Sequence, residues 1–533
     1  MKNLELKNVR GSTDYGGKDA IIRNFISKTL QNTFEKYGYQ PLETSILCYY
    51  DLLTLKYDEN NDIVKEIYKV SDQGNRNLAL RYDLTVPFAK FLAKNRNIKI
   101  PYKRYEIGKV FRDGPIKKGR TREFIQCDVD CVGIEGQMIE TELISLYVEC
   151  FRKLGIDIII KYNSRKMMNG IIEICDIDKE KISQVITIID KIEKLTFEEI
   201  KEELVKIEIN ENQIEKLMRY LKMSFEELNN KFKNTLNQNL KEGLNELNVL
   251  NNYIEELKLN KYVKFTPTLA RGQEYYTGTI FEVYVKDESL KASIGGGGRY
   301  DNMIGDFIGD GKFYPAVGIS FGLDAIYEIL KEKQNDFNNT QVYIFPMNNK
   351  ILGLKIANEL RKKDINTEVE MNDLKLKKSL SYADDRNIPI AVIIGENEIK
   401  DNRVLIKDMK NNFQICEDIE KCVDIITELL NISKIEYKLF NPGGNKTALV
   451  NGCNYTDIQK KLINKMIMEK YQFIEQVGFL STKENKLEMA GGEFCLNATR
   501  CAVYEYSNKA KDIKEISVSG TNNKIKGKVL DKK

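Results

Sequence analysis

Residues 111–133 read FRDGPIKKGRTREFIQCDVDCVG, a stretch in which a basic loop separates two runs of alternating polarity. Residues 104–112 and 123–132 alternate with a period of two, which predicts a pair of antiparallel strands. Side chains alternate across a strand, so three polar residues of the second strand share one face. They are Gln126, Asp128 and Asp130. An amide and two carboxylates on one face indicate the wall of a polar pocket, not a hydrophobic core.

The loop between these strands is strongly basic. It follows Arg112 at the end of the first strand, and it carries Lys117, Lys118, Arg120 and Arg122. An arginine held on a strand beside a carboxylate-lined pocket suits a nucleotide phosphate next to a zwitterionic ligand. The pattern alone fits a solvated basic hairpin equally well.

Two further stretches combine glycine with chemically active side chains. Residues 271–278 read RGQEYYTG, with one arginine, two adjacent tyrosines and flanking glycines. The tyrosines offer flat walls with hydroxyl ends, and the glycines permit close backbone approach. Gly295–Gly298 lead into Arg299-Tyr300-Asp301 and indicate a backbone that passes against a ligand, although a simple turn is an alternative. The chain has no P-loop motif.

Composition narrows the chemistry. The chain has 533 residues, no histidine, no tryptophan and a net charge of +4. The missing histidines exclude Ser-His and Cys-His catalysis and histidine-ligated metal sites. The ten cysteines contain no C-x-x-C pair, no apolar run approaches a membrane span, and the first residues carry no signal-peptide core. We therefore expect a cytoplasmic protein with no membrane partner.

Changes in composition divide the chain into three predicted domains. Residues 1–330 mix helices and strands, and an insertion at about 165–260 is helical. Residues 338–431 alternate strands and helices and predict a small α/β domain. Residues 435–533 carry more glycine and short strand-like runs, which indicates a separate module.

Together these motifs resemble the histidyl-tRNA synthetases, a class II aminoacyl-tRNA synthetase family, over about residues 8–430. The resemblance rests on Arg10-Gly11 and on the following stretches: RYDLTVPFA at 81–89, residues 111–133, ARGQEYYTGTIFE at 270–282, GGGRYD at 296–301 and PAVGISFGLD at 315–324. It implies an α+β fold. A class II antiparallel sheet has flanking helices and a helical insertion, and an α/β anticodon-binding domain follows.

The resemblance also implies a function and a set of site residues. The family activates L-histidine with ATP and Mg²⁺, charges tRNA(His) and forms homodimers, with no metal held by the protein itself. Asp83, Leu84, Thr85 and Gln126 would bind the histidine, mainly through its amino group. Asp130, Tyr276 and Tyr300 would read the imidazole, and Tyr275 would wall the pocket. Catalytic Arg112 and Arg271 would flank the α-phosphate of ATP, and Arg120 and Arg122 would add to the ATP site.

The chain departs from the family at three positions. Ala325 stands where an arginine usually meets the adenine and the γ-phosphate, and Ser45 stands at the proline of the first class II motif. Gly114 stands two residues after Arg112, where the family usually has a glutamate, although Asp113 is an alternative one position earlier.

These departures leave a second interpretation open. Histidyl-tRNA synthetase-like regulatory subunits of ATP phosphoribosyltransferase, which act in histidine biosynthesis, share the fold and charge no tRNA. A short ATP phosphoribosyltransferase catalytic subunit would then be the partner. We favour the ligase because the histidine-reading residues are intact. In addition, residues 374–399 keep the anticodon-domain pattern that those subunits usually lack.

Residues 435–533 resemble the first half of cofactor-independent racemases of the diaminopimelate epimerase type. The matching stretches are NPGGNKTALV at 441–450, EQVGF at 475–479, MAGGEFCLNATRCA at 489–502 and ISVSG at 516–520. The resemblance implies a half α+β module in which Cys495 is one of two facing thiols. Leu496 replaces the usual glycine. We favour a truncated module with a vestigial thiol over a half that another chain completes.

Overall fold

The computed structural model describes residues 6–55, 62–192, 195–271, 275–333, 337–347, 349–372, 374–432, 435–481, 483–506 and 513–529. The chain forms two compact units, Met1–Asn335 and Asp336–Lys533.

The first unit is built from a large sheet, flanking helices and a helical insertion. Its strands are β1 (Gln40–Pro41), β2 (Leu47–Tyr49), β3 (Lys69–Val70), β4 (Leu78–Leu80), β5 (Tyr102–Phe111), β6 (Glu123–Val132), β7 (Ile158–Ser164), β8 (Val263–Phe265), β9 (Thr279–Val285), β10 (Gly295–Arg299) and β11 (Ala316–Gly322). Its helices are α1 (Gly17–Lys36), α2 (Tyr50–Thr54), α3 (Asp62–Lys65), α4 (Thr85–Lys94), α5 (Met138–Lys153), α6 (Arg165–Ile174), α7 (Ile182–Ile189), α8 (Phe197–Lys206), α9 (Glu211–Tyr220), α10 (Phe225–Lys231), α11 (Gln238–Glu256), α12 (Met303–Ile308) and α13 (Leu323–Glu332).

The large sheet has eight strands in the order β1-β5-β6-β11-β10-β9-β7-β8. Its central strands from β5 to β7 pair antiparallel, and β1 and β8 add parallel strands at the edges. The predicted hairpin is confirmed as β5 and β6. Gly295–Gly298 form part of the central strand β10, so the alternative of a turn is wrong.

One face of the sheet is a hydrophobic core. Cys127 of β6 and Phe321 of β11 lie opposite each other in register and are fully buried. The Phe321 ring contacts Phe34 of α1 at 5.4 Å between centroids and Tyr147 of α5 at 4.7 Å. Because side chains alternate, the polar residues of β6 point to the opposite face.

The predicted helical insertion is confirmed as α6 to α11. Its first and last helices, α6 and α11, pack closely through two glycines. A Cβ on Gly170 would lie 2.4 Å from the backbone nitrogen of Leu240, and a Cβ on Gly243 would lie 2.3 Å from that of Met167. Because glycine has no side chain, the two helix backbones can approach closely at these positions. The insertion follows directly from the sheet, since β7 ends at Ser164 and α6 begins at Arg165.

The second unit contains two sheets. Its strands are β12 (Val342–Phe345), β13 (Thr367–Val369), β14 (Ile390–Ile393), β15 (Arg403–Asp408), β16 (Phe413–Asp418), β17 (Tyr437–Phe440), β18 (Thr447–Asn451), β19 (Gln476–Ser481), β20 (Lys486–Met489), β21 (Ile513–Val518) and β22 (Ile525–Lys528). Its helices are α14 (Lys350–Lys362), α15 (Leu376–Asp385), α16 (Glu396–Lys400), α17 (Ile419–Leu430), α18 (Asp457–Lys470) and α19 (Leu496–Tyr506). One sheet has the order β13-β12-β14-β15-β16, and the other runs in sequence from β17 to β22.

The two sheets of this unit share a hydrophobic core. Phe413 and Ile415 of β16 belong to the same buried cluster as Ile463 and Met466 of α18. At the junction, the backbone N–H of Ile435 donates to Oδ1 of Asn411 at 3.0 Å. The 435–529 module is therefore packed against the α/β domain rather than attached as a free appendage. Within the described residues, no helix is long and apolar enough to cross a membrane.

Candidate active site

The polar face of the large sheet carries a cleft. It is lined by Asp83, Thr85, Arg112, Gln126, Asp128, Asp130, Arg271, Tyr275, Tyr276, Gly296, Gly297, Tyr300, Gly318, Ile319 and Ser320. Nine of the residues that the sequence assigned to histidine or ATP lie in this lining, although they come from segments spread over more than two hundred positions of the chain. The sheet brings them together by placing β6, β11 and β10 side by side.

Asp130 lies at the centre of a buried ionic network. Its Oδ1 accepts a hydrogen bond of 2.5 Å from the Tyr300 hydroxyl, and its Oδ2 lies 2.7 Å from Nη2 of Arg104. The Arg104 guanidinium is fully buried and also lies over the Phe88 ring at 4.3 Å. Burial raises the pKa of Asp130, whereas Arg104 opposes that shift. The network orients one carboxylate towards the cleft.

A glycine makes room for that carboxylate. Gly318 of β11 lies opposite Asp130 in register, and a Cβ at Gly318 would lie 1.9 Å from Oδ1 of Asp130. Any larger residue would push the carboxylate out of its place. Glycine at position 318 of β11 therefore leaves the space that the Asp130 carboxylate occupies.

Further along β6, Gln126 and Asp128 present acceptors without partners in the described structure. The side-chain amide of Gln126 donates to Oγ of Ser320 at 3.1 Å, which leaves Gln126 Oε1 buried and unpaired, as is Asp128 Oδ1. Buried polar atoms usually have hydrogen-bond partners, so two unpaired acceptors in a cleft indicate a ligand that donates. Burial raises the pKa of Asp128 well above the usual carboxyl range.

The segment before α4 contributes the next wall. Oδ1 of Asp83 accepts from the backbone N–H of Val86 at 3.1 Å, which holds the carboxylate at the start of α4. Burial raises the pKa of Asp83 to about 6. Leu84, which the sequence placed among the histidine-binding residues, is fully buried and outside the cleft lining. Its carbonyl accepts from Arg104 at 3.1 Å, so its contact is with the network behind the pocket.

Arg112 and Arg271 both line the cleft. Nε of Arg112 donates to the carbonyl of Tyr82 at 3.0 Å, and its guanidinium lies 5.2 Å from the Phe124 ring. Nη1 of Arg271 donates to the carbonyl of Phe281 at 3.0 Å. Backbone contacts thus hold both guanidinium groups at the cleft, where their positive charges suit an anionic ligand.

The basic loop lies outside the cleft lining. Nη2 of Arg120 lies 3.3 Å from Oε1 of Glu66, and Nη2 of Arg122 lies 3.0 Å from Oδ1 of Asp113. Both guanidinium groups are partly exposed. Their assignment to ATP stays a prediction that needs the loop to meet the nucleotide beyond the cleft.

Three protein-family models match successive parts of the chain. Residues 11–326 match the sequence model of the histidyl-tRNA synthetase family, residues 341–429 that of the anticodon binding domain, and residues 434–533 that of the histidine racemase CntK N-terminal domain. The chain belongs to the histidyl-tRNA synthetase family. This result confirms the resemblance drawn from the motifs, and the model matched by residues 434–533 comes from a racemase of histidine.

Several relatives of this synthetase are similar over most of their length. Histidine–tRNA ligase 1 of Bacillus cereus is 46% identical over 417 residues, which cover 77% of this chain and 95% of the relative. Histidine–tRNA ligase 2 of Shouchella clausii is 40% identical over 414 residues, which cover 77% and 97%. The histidyl-tRNA synthetase structure from Nostoc sp. PCC 7120 matches with a TM-score of 0.71 and 27% identity, covering 80% of this chain and 99% of that one.

A further structural neighbour carries a double name. The ATP phosphoribosyltransferase regulatory subunit/histidyl-tRNA synthetase from Bacillus halodurans matches with a TM-score of 0.60 and 20% identity, covering 72% of this chain and 97% of that one. At that identity the match shows the fold of the synthetase alone.

A small residue, Ala325, occupies the position where the family usually has an arginine. Ala325 is buried at the start of α13, and a Cβ on Gly119 of the basic loop would lie 3.5 Å from it. The carboxylate of the preceding Asp324 accepts hydrogen bonds from Nη1 of Arg23 at 2.6 Å and from the backbone N–H of Ile125 at 2.9 Å. The basic loop therefore lies close to the position where other members carry an arginine.

Cys495 lies in the second unit, directly before α19. Its thiol donates to Oε1 of Gln476 at 2.6 Å, and the backbone N–H of Ala498 lies 3.4 Å from its sulfur. Leu496, where the racemase family has glycine, is 55% exposed. Leu496 is the first residue of α19 and directly follows Cys495 in the chain.

The sequence assignment missed three contributors to the synthetase site. Asp128 was noted on the polar face without a role, whereas Ser320 and Arg104 were not singled out. Asp128 had a usable signal, because it lies between two assigned residues with the period of a strand. Arg104 had none, since its pairing with Asp130 depends on the β5–β6 register.

Proposed function

We propose that this synthetase is a histidine–tRNA ligase that activates L-histidine with ATP and transfers it to tRNA(His). The observation that carries the proposal is the cleft itself. It joins a fixed carboxylate and phenols, Asp130 with Tyr276 and Tyr300, to two guanidinium groups held by backbone contacts.

The Asp130 end of the cleft suits an imidazole. A neutral imidazole has one N–H donor and one acceptor nitrogen. The Asp130 carboxylate accepts a hydrogen bond from the imidazole N–H, and the Tyr276 hydroxyl donates one to the other ring nitrogen. A substrate that lacks these groups would leave buried polar atoms unpaired, a penalty that gives strong discrimination. The free acceptors of Gln126 and Asp128, with Asp83 and Thr85, receive the amino group.

The arginines serve the phosphate chemistry. A carboxylate oxygen of histidine attacks the α-phosphorus of the ATP–Mg²⁺ complex, and the bond to pyrophosphate breaks. The negative charge spread over the reacting phosphate is stabilised by Arg112 and Arg271, with Mg²⁺ brought by the substrate. No proton has to be moved by the protein, so a chain without histidine can carry out the step. A ribose hydroxyl of tRNA then takes the aminoacyl group and AMP leaves.

The proposal is tested by histidine-dependent ATP–pyrophosphate exchange on the full chain. We expect exchange with histidine and charging of tRNA(His). The Arg271→Ala variant should lower exchange by about a hundredfold or more, because the lost donor acts on the reacting phosphate. It should bind histidine with nearly unchanged affinity in calorimetry. Sedimentation of the same sample tests the homodimer that the family implies.

Two results would contradict the ligase. Background exchange with tight histidine binding would favour a regulatory paralogue whose partner is a short ATP phosphoribosyltransferase subunit. Exchange without tRNA charging would favour a histidine-activating enzyme of another kind. Current support lies with the ligase, because the curated relatives with high identity carry the name histidine–tRNA ligase.

For the C-terminal module we propose that Cys495 is a vestigial racemase thiol. Racemization of this type needs a second acid–base group on the opposite side of the α-carbon. The thiol donates to Gln476, and Leu496 replaces the glycine that usually follows this cysteine in the racemase family. Full-length protein incubated with histidine in D₂O should show no α-proton exchange above that of Cys495→Ser. Exchange that depends on Cys495 would overturn this assignment.

A further inference from the structure

Gly114 marks a gap in the family pattern. It lies two residues after Arg112, where the family usually carries a glutamate, and it is buried. Its φ angle is not among the left-handed glycine angles of the chain, so the backbone would accept a side chain there. Something other than backbone conformation must therefore account for glycine at this position.

The carboxylate of Glu66 fills the space. A Cβ on Gly114 would lie 2.7 Å from Oε1 of Glu66 and 2.9 Å from its Cδ. Glu66 follows α3 and belongs to a different segment of the chain. The two segments are tied together, because the backbone N–H of Asp113 donates to the carbonyl of Glu66 at 2.8 Å.

Asp113, the alternative from the sequence, is engaged elsewhere. Its Oδ1 lies 3.0 Å from Nη2 of Arg122 and accepts from the Tyr68 hydroxyl at 3.3 Å. Glu66 instead places its two oxygens 3.3 and 3.5 Å from Nη2 of Arg120. The two acidic groups thus hold different arginines of the basic loop.

We propose that Glu66 supplies the carboxylate that the family carries at position 114, and that it positions Arg120 and the basic loop for ATP. The inference rests on the proposed ATP role of this loop. The basic side chains of the loop repel one another, and a nearby carboxylate offsets part of that repulsion. By ordering Arg120 before ATP arrives, the carboxylate also reduces the conformational entropy that is lost on binding. Glu66 is a positioning residue, since it acts through Arg120.

The first test compares single variants by ATP–pyrophosphate exchange and by calorimetry with ATP alone. Glu66→Ala should raise the KM and the Kd for ATP by roughly threefold to fivefold, the range of a partly exposed ion pair, with histidine affinity unchanged. Glu332→Ala is the matched control, because Glu332 pairs with Lys118 of the same loop at 2.5 Å. It should leave both constants within about twofold.

The second test moves the carboxylate. Gly114→Glu alone should weaken ATP binding, because two carboxylates would compete for one space. In the Glu66→Ala background the same change should restore the Kd for ATP to near the wild-type value. An unchanged Kd in Glu66→Ala, or a double variant no better than Glu66→Ala, would overturn the inference. Direct ATP binding keeps this outcome separate from a failure of the ligase proposal, which appears as absent exchange in the wild type.

Discussion

At the residue scale, the Asp130–Tyr300 hydrogen bond fixes one wall of the proposed histidine pocket. Tyr300→Phe would leave a buried carboxylate oxygen without its donor, at a cost of about 1–3 kcal/mol. We expect histidine affinity measured by calorimetry to fall by about tenfold. Tyr162→Phe is the matched control, since its hydroxyl bonds Asn251 at 2.5 Å outside the pocket. Equal effects of the two variants would show that the loss is general.

Also at the residue scale, the raised pKa of Asp83 makes stability depend on pH. Burial brings this pKa to about 6, whereas an unfolded aspartate titrates near 4. As the pH rises, Asp83 stays protonated in the folded state after the unfolded state has lost its proton. The contribution of this proton to the free energy of unfolding is therefore complete below about pH 4 and is lost as the pH rises to about 6. Relative to Asp83→Asn, wild-type stability should fall by up to about 1.4 kcal/mol per pH unit in this window.

Thermal midpoints of the two proteins from pH 3.5 to 8 test this expectation. Asp72→Asn is an opposite-sign control, because hydrogen bonding to the backbone and side chain of Arg76 lowers the pKa of Asp72. Its contribution is present above the unfolded pKa and is lost only as the pH falls below about 4. Parallel curves for wild type and Asp83→Asn would contradict the assignment.

At the scale of the element, β10 shows why a run of glycines lies in the middle of a sheet. A Cβ on Gly296 would lie 1.8 Å from Nη1 of Arg271, and a Cβ on Gly297 would lie 2.1 Å from the carbonyl of Gly318. The first clash is with a flexible side chain in the cleft, whereas the second is with the backbone of β11. The strand thus keeps both the arginine and its neighbouring strand in place.

The two alanine variants of β10 should therefore behave differently. Gly296→Ala should displace the Arg271 guanidinium and lower exchange by about ten- to a hundredfold, the value of a charged hydrogen bond, with a small change in thermal midpoint. Gly297→Ala should lower stability by about 1–3 kcal/mol or more, because the strands must separate. A large stability loss in Gly296→Ala would show that the arginine cannot move aside.

At the scale of the whole molecule, the shared core of the second unit joins two parts that the composition separated. Ile463 of α18 is fully buried in the cluster that contains Phe413 and Ile415 of β16. Ile463→Ala should cost about 2–5 kcal/mol and lower hydrogen-exchange protection in β15 and β16 as well as in the module. Ile458→Ala, on the same helix but 56% exposed, should have little effect.

Unchanged protection of β15 and β16 in Ile463→Ala would contradict the shared core. The coupling also explains why racemase tests belong on the full chain. Residues 435–529 alone would expose an apolar face that belongs to this shared core. A fragment that exposes such a face tends to associate or unfold, so its inactivity would say little about Cys495.

Much of this protein was predictable from local patterns. The period-two runs located β5 and β6, and the polar face of β6 identified Gln126 and Asp130, because alternation is a property of a single strand. The motifs around Arg271 and Tyr300 identified the family. The absence of histidine already required that any imidazole in this site come from the substrate.

The remaining features depend on contacts between distant segments. Arg104 meets Asp130 through strand register, Glu66 fills the space above Gly114 across 48 positions, and α18 joins the core of the preceding domain. None of these pairs has a local period or spacing that would reveal it. The residue types at the site follow from the sequence, whereas the partner of each buried charge follows from close packing, which only the folded chain provides.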